Sequence, residues 1–168
     1  MAVNDIKIRS VAGLSALPTL KFATAGGGTA IYAGEFVKFS ANGSSSVDLL
    51  ADAYGAIGTD IAIVGLAKSD STHTATAKGE VEVYLPIPGV VYEIKAKTGT
   101  TADTQGEIDA LVGDRVILDL TSGVYTLDTA ATEAQASPFL IVGGDPIQKT
   151  LYVILRSGAT ILGDQDIA

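Results

Sequence analysis

The 168-residue sequence contains no cysteine and no tryptophan, and it has only one histidine and one methionine. Without cysteine there are no disulfides and no thiolate zinc sites, and a single histidine excludes a multi-histidine metal site within one chain. Long apolar runs are also missing. The longest, residues 61–67, has the length of a strand and is far short of the roughly 20 residues that span a bilayer. These absences predict a domain that its own apolar core holds together.

Positive charge is scarce as well. The chain has 11 basic and 19 acidic residues, a formal net charge of −8, and its basic residues stand singly. An acidic surface repels phosphate backbones and anionic lipid headgroups, so we expect neither a nucleic acid nor a membrane as partner. Asp5, Lys7 and Arg9 stand where a signal peptide would need its apolar stretch, which predicts a protein that stays in the cytoplasm of the cell that makes it.

Apolar residues, by contrast, are abundant. Hydrophobic residues make up 47% of the chain, charged residues make up 18%, and the mean hydropathy is +0.36. A chain of this length suffices for one domain with its own core. The high apolar content predicts further burial of surface, against copies of the same chain or against a partner protein.

Alternation of apolar and polar residues, typical of strands, dominates from Tyr32 onward. Segments 34–40 and 47–50 alternate on either side of a turn, but a two-residue turn at Asn42-Gly43 would place polar residues on the buried face. A three-residue loop over 42–44 restores the register, because a slip by one residue exchanges the two faces of a strand. The predicted opposite pairs are Val37 with Leu49, Lys38 with Asp48 and Phe39 with Val47.

A second alternating stretch, residues 79–97, is interrupted by Pro88-Gly89. We predict a hairpin that turns at these two residues, because a longer loop would set Glu82 against Glu93, and like charges directly opposite are destabilising. A turn with Pro before Gly is type I or II and twists poorly for a hairpin, so we expect a bulge near Pro86. The predicted pairs are Ile87–Val90, Leu85–Tyr92 and Val83–Ile94 on the apolar face, with Glu82–Lys95 and Glu80–Lys97 on a solvated outer face.

Five further strands are predicted, at residues 61–67, 114–120, 123–128, 138–144 and 149–156. A tight turn at Ser122-Gly123 would set Leu118 against Leu127 and Leu120 against Tyr125. The last two strands are nearly continuous in apolar residues, which is typical of central strands covered on both faces.

One short helix is predicted near residues 104–112. Thr104 and Glu107 form a capping box, and Gly113 can end the helix. The fold class is therefore all-β: a small barrel or sandwich of antiparallel hairpins with one short helix.

The first 30 residues differ from the rest. Residues 6–9 alternate and could add to a sheet edge, and Gly26-Gly27-Gly28 has the composition of a flexible joint. We predict an extended N-terminal arm over residues 1–30 and a single β-rich domain over residues 31–168.

No constellation of residues points to catalysis, a cofactor or a metal. His73 could act as a general base beside Asp70, but the simpler interpretation is an exposed loop histidine. The glycines of residues 25–34 lack the Gly-Lys-Ser/Thr of a phosphate-binding loop. Asp164 and Asp166 lack the further ligands that a calcium loop needs. Asp145, which precedes a proline, is a typical turn residue. The residue types therefore predict a protein that is not an enzyme.

The order of these segments carries a resemblance. A Gly-acidic-hydrophobic-Val-Lys strand at 34–38 is followed by Val-Gly-Leu-Ala at 64–67, a Thr/Ala stretch at 72–77 and Gly-x-Val-x-Val at 79–83. With the strands at 114–120 and 138–144, the pattern resembles the capsid decoration (cement) proteins of tailed bacteriophages. The likeness covers roughly residues 32–145, and the residues beyond it are not part of the pattern.

The resemblance implies a β-rich structural protein of the virion, made in the host cytoplasm and bound to the outer surface of the capsid. It implies a homo-oligomer, with a trimer favoured, that clamps neighbouring subunits of the major capsid protein. It also implies an arm that adds a strand to a capsid sheet, for which Ile6, Ile8 and Leu14 are the candidate contact residues. The alternative is a carbohydrate- or receptor-binding module of a tail fibre or adhesin, which the low aromatic content of 6% disfavours.

Overall fold

The computed structural model describes residues 6–11, 13–41, 44–50, 63–98, 100–130, 137–156 and 160. It is mainly β, with one short helix, as the alternation predicts. The elements are β1 (Lys7–Val11), β2 (Thr19–Thr24), β3 (Phe36–Phe39), β4 (Ser46–Leu49), β5 (Ile63–Ala67), β6 (Gly79–Tyr84), β7 (Val90–Lys95), α1 (Gln105–Leu111), β8 (Arg115–Thr121), β9 (Val124–Asp128), β10 (Phe139–Asp145) and β11 (Thr150–Leu155).

Five strands form a closed barrel in the order β2-β4-β3-β5-β6. Within it, the β3–β4 hairpin has the predicted register, in which Val37 lies opposite Leu49 and Phe39 opposite Val47. The predicted register is therefore confirmed, although two residues of the predicted loop, Asn42 and Gly43, lie outside the described part of the chain. A short parallel contact between β2 and β4 closes the barrel.

The other six strands form a second sheet in the order β1-β7-β11-β10-β8-β9. The β8–β9 hairpin has the predicted pairs, Leu118 with Leu127 and Leu120 with Tyr125. Its turn residues Ser122 and Gly123 have φ angles of 54° and 79°, the positive values that a tight type I′ turn requires. Strands β10 and β11 are central, as predicted, but alternate residues on both are only half-buried, so the cover predicted on both faces is wrong.

The predicted pairing of the two halves of residues 79–97 is wrong. The turn at Pro88-Gly89 forms, since the amide of Val90 donates to the carbonyl of Ile87 at 3.2 Å, and Gly89 has a φ of 86°. However, β6 pairs with β2 and β5 in the barrel, whereas β7 pairs with β1 and β11 in the other sheet. The turn therefore carries the chain from one sheet to the other instead of closing a hairpin, which agrees with the poor twist of a type II turn for a hairpin.

The prediction of a free arm over residues 1–30 also fails. Strand β2 lies in the barrel and pairs with β6 along its whole length, and β1 lies at the edge of the six-stranded sheet beside β7. The three glycines at 26–28 form a packed turn: the amide of Gly27 donates to the carbonyl of Thr74 at 3.0 Å, and a side chain at Gly26 would meet the backbone of Ala77 at 3.1 Å. They are therefore a close contact between two loops and not a flexible joint.

The helix is where the sequence predicts it. The Thr104 hydroxyl accepts a hydrogen bond from the amide of Glu107, and the Glu107 carboxylate accepts one from the amide of Thr104. The capping box is therefore complete. Ile108 is the buried residue of the helix, and the chain turns away at Gly113, which has a φ of 96°.

The two sheets share the larger of two apolar cores. Phe36 from the barrel inserts among the rings of the six-stranded sheet, with its centroid 5.3 Å from those of Tyr92 and Phe139 and 6.5 Å from that of Tyr125, all in edge-to-face geometry. A smaller cluster, which includes Val81 and Val83, fills the barrel itself.

The two buried tyrosines of this core give a matched pair of stability predictions. Burial raises the pKa of both phenols, so both stay protonated. The Tyr125 hydroxyl donates to the carbonyl of Leu50 at 2.8 Å, whereas the buried Tyr92 hydroxyl has no hydrogen-bond partner among the described residues. We expect Tyr125→Phe to lower the free energy of unfolding by about 1 kcal/mol and Tyr92→Phe to leave it equal or raise it by up to about 1 kcal/mol.

Urea denaturation of both variants and wild type would measure this difference. A loss of stability in Tyr92→Phe as large as that in Tyr125→Phe would contradict the unpaired state of the Tyr92 hydroxyl.

Candidate interaction surface

The candidate catalytic residues are engaged in holding two loops together. The Nε2 of His73 lies 3.0 Å from the carbonyl oxygen of Gly28; a carbonyl can only accept, so Nε2 carries the proton. Asp70 accepts a hydrogen bond from the amide of Ala33 at 2.9 Å. His73 is half-buried and not an exposed loop residue as predicted, because the loop of residues 25–34 packs against it.

The glutamates of β6 form ion pairs on the outside of the barrel. Glu82 accepts from Lys68 at 2.9 Å and from the hydroxyl of Thr19 at 2.7 Å, and these hydrogen bonds hold the pKa of Glu82 below its usual range. The Oε2 atom of Glu80 lies 3.8 Å from Nζ of Lys21. The predicted partners, Lys95 and Lys97, are wrong because β7 belongs to the other sheet.

The acidic residues offer no cation site in the described part of the chain. Asp145 accepts hydrogen bonds from the amides of Ile147 and Gln148 at 2.9 and 3.2 Å, which is the turn role predicted for it. Asp164 and Asp166 lie outside the described residues. Within the described ranges, no three His, Cys, Asp or Glu side chains gather as metal ligands. No helix found there is long and apolar enough to cross a membrane.

The three residues predicted to contact a capsid are placed differently from one another. Ile6 is 8% exposed and belongs to the larger core, and the half-buried Ile8 packs against that core. Both side chains therefore pack within the chain, and their contact with a capsid stays a prediction. Leu14 is 44% exposed, in the segment between β1 and β2.

An ion pair that the sequence patterns do not reveal fixes β1 to the sheet. Glu93 is only 4% exposed, and its carboxylate accepts from Nε of Arg9 at 2.8 Å and from the hydroxyl of Thr150 at 3.0 Å. The Arg9 guanidinium lies over the ring of Tyr152, 4.4 Å from its centroid. Because Arg9 satisfies a nearly buried carboxylate, it pins the register of the edge strand.

The face of the six-stranded sheet that points away from the barrel carries an apolar row. Leu140, Ile154 and Val91 lie directly opposite one another on β10, β11 and β7. Arg115 on β8 is the next residue beyond Leu140. Each of the three aliphatic side chains is half-buried, and none belongs to either core. We call this row, together with Tyr152 and the flanking Lys7, Arg9 and Arg115, the outer patch.

Strand alternation in residues 138–144 and 149–156 identifies the apolar members of the outer patch, but only the pairing of the strands shows that they form one surface. In comparison with known proteins, no protein-family model matches the chain, and no curated protein matches it significantly.

Proposed function

We propose that the chain is a structural protein of a tailed-phage virion, which binds the outer surface of the capsid and stabilises it by clamping neighbouring subunits of the major capsid protein. The proposal rests on the resemblance to capsid decoration proteins. The observation that carries it is the position of the resembling segments: residues 36–38, 64–67 and 79–83 fall on β3, β5 and β6, three strands that neighbour one another in the closed barrel. Three of the resembling strands therefore lie side by side in the barrel, while the other two, residues 115–120 and 139–144, fall on β8 and β10 of the six-stranded sheet.

The proposed mode of action is passive. The chain would act by burying surface, without a cofactor and without catalysis, as a homo-oligomer, with a trimer favoured, on the virion surface after synthesis in the host cytoplasm. A closed barrel and a sheet that share one core make a rigid body, and a rigid body loses little conformational entropy when it binds.

Capsids assembled without this chain, from the phage whose genome encodes it, provide the test. The purified protein should bind them saturably, and bound capsids should break open at a higher temperature than bare ones. The comparison uses light scattering and released-DNA fluorescence during heating. A lack of saturable binding to these capsids would remove the proposal.

The alternative, a carbohydrate-binding module, has less support from the fold. Sugar sites use exposed aromatic platforms, but the aromatic rings of the larger core, among them Tyr92, Tyr125 and Phe139, are buried. Among the described aromatic residues, only Tyr32 is largely exposed, at 40%. A clear positive on a glycan array, abolished by Tyr32→Ala, would favour the alternative.

A further inference from the structure

We propose that the outer patch is the surface with which this protein docks on the shell, and that it recognises an acidic, partly apolar surface of the shell protein. The proposal rests on the proposed function and adds to it a specific face and a partner chemistry.

Geometry makes the outer patch a single continuous surface. Opposite residues of paired strands share a face, so the pairs Leu140–Arg115, Leu140–Ile154 and Ile154–Val91 place four side chains in one row across β8, β10, β11 and β7. Two residues further along, Tyr152 lies opposite Glu93, and Glu93 lies opposite Lys7. The patch thus crosses most of the sheet and is built on its central strands.

Among the described residues, the apolar side chains of the patch are not needed to build either core. The opposite face of the same strands already supplies the core, with Val90, Tyr92, Ile141 and Val153 almost fully buried. A strand that is solvated on one face typically alternates apolar residues, which point to the core, with polar residues, which point to water. Three adjacent aliphatic side chains on an outward face of central strands therefore indicate a surface that a partner covers.

The basic residues of the outer patch indicate that the partner surface is acidic. The patch carries three basic residues, Lys7, Arg9 and Arg115, beside two carboxylates, those of Glu93 and Asp145, in a chain with a net charge of −8. Arg115 forms no ion pair with a described carboxylate. The barrel surface differs, because its lysines Lys21 and Lys68 are paired with glutamates. An acidic partner surface is thus attracted by the outer patch and repelled by the rest of the molecule.

Size argues for the shell as occupant over a second copy of this chain. Five strands about 4.8 Å apart and six residues long give a face of about 20 Å by 20 Å, or about 400 Å². A specific interface typically buries about 800 Å² on each partner, so this face alone is too small to hold two copies together. A shell that repeats the same acidic site can engage several patches of one oligomer at once, and their affinities combine.

The test compares charge-reversing variants of two surfaces in the capsid-binding assay. We expect Leu140→Glu and Arg115→Glu to weaken binding by about tenfold or more, because each brings a carboxylate to an acidic partner. The matched controls, Leu20→Glu and Lys21→Glu, change an exposed leucine and an exposed lysine of the barrel. They should bind within about twofold of wild type, and all four variants are checked by circular dichroism.

Lysine labelling tests the same proposal in wild-type protein, without any risk of misfolding. Acetylation of the exposed Lys7 should slow when the protein sits on capsids, whereas that of the exposed loop residue Lys78 should not change. If wild type binds, but the patch variants bind equally well and Lys7 is labelled at its free rate, the docking face is wrong and the proposed function stands. If wild type does not bind at all, both proposals fall.

Discussion

Val83→Asp is expected to prevent the barrel from folding. Val83 is fully buried in the smaller core, opposite Leu20 on β2 and Ala67 on β5. The substitution forfeits about 2 kcal/mol of apolar burial and places an unpaired carboxyl group in the core at a further cost of about 2–7 kcal/mol. Since a domain is stable by only about 5–15 kcal/mol, we expect aggregation during expression or loss of the cooperative melting transition, measured by near-UV circular dichroism and calorimetry.

The neighbouring residue provides the matched control. Glu82 points to the other side of the same strand, where it is partly exposed and pairs with Lys68. Because exposed ion pairs contribute little, Glu82→Ala should melt close to wild type. A Val83→Asp protein that melts normally would mean that β6 turns its other face to the core, and the barrel as described could not be correct.

Local patterns were sufficient for the parts of the fold that are local. The β3–β4 register follows from alternation alone, because only one register buries Val37 and Val47 while leaving Lys38 opposite Asp48. The β8–β9 turn follows from Ser122-Gly123, and the helix from its capping box. In each case the partner lies a few residues away, so steric and hydrogen-bonding rules fix it.

Alternation predicts which face of a strand is buried but not which strand lies beside it. It correctly predicts that Val83 and Ile94 are buried. It also predicts that they lie opposite each other, but Val83 is in the barrel and Ile94 is in the six-stranded sheet. Strand β2 is not predicted from the sequence, although its residues Leu20, Lys21 and Phe22 alternate like those of the other strands. Its low hydrophobicity and glycine-rich neighbour favoured an arm, and without β2 the nearest partner for β6 was β7.

Because the neighbours of β1 and β7 are not predicted, the ion pair at β1 and the outer patch are not predicted either. Glu93 alternates with Tyr92 and Ile94, which predicts an exposed carboxylate, but its partner Arg9 lies 84 residues away in the supposed arm. The row of Leu140, Ile154 and Val91 likewise requires knowledge that β7 lies beside β11. Contacts of this kind depend on the packing of whole sheets, which no local pattern encodes.

Gly65→Ala is the second substitution with a large expected effect. Gly65 lies in β5 with a φ of 148°, a conformation that other residues rarely adopt. An added Cβ would lie 2.0 Å from the carbonyl oxygen of Tyr84 and 2.9 Å from a methyl group of Val83. The obstacle is backbone of the adjacent strand, so it cannot move without breaking the pairing of β5 with β6 that helps to close the barrel.

We expect Gly65→Ala to lower the free energy of unfolding by at least about 3 kcal/mol, since it combines overpacking with backbone strain. Gly106→Ala is the control: it makes the same chemical change in α1, where an added Cβ meets nothing within 4 Å. There the gain in helix propensity should stabilise the protein by about 0.5–1 kcal/mol. Guanidinium denaturation measures both changes, and opposite signs at the two glycines are expected because one site lacks room and the other lacks only a side chain. Equal, small changes at both would show that β5 does not approach β6 as closely as described.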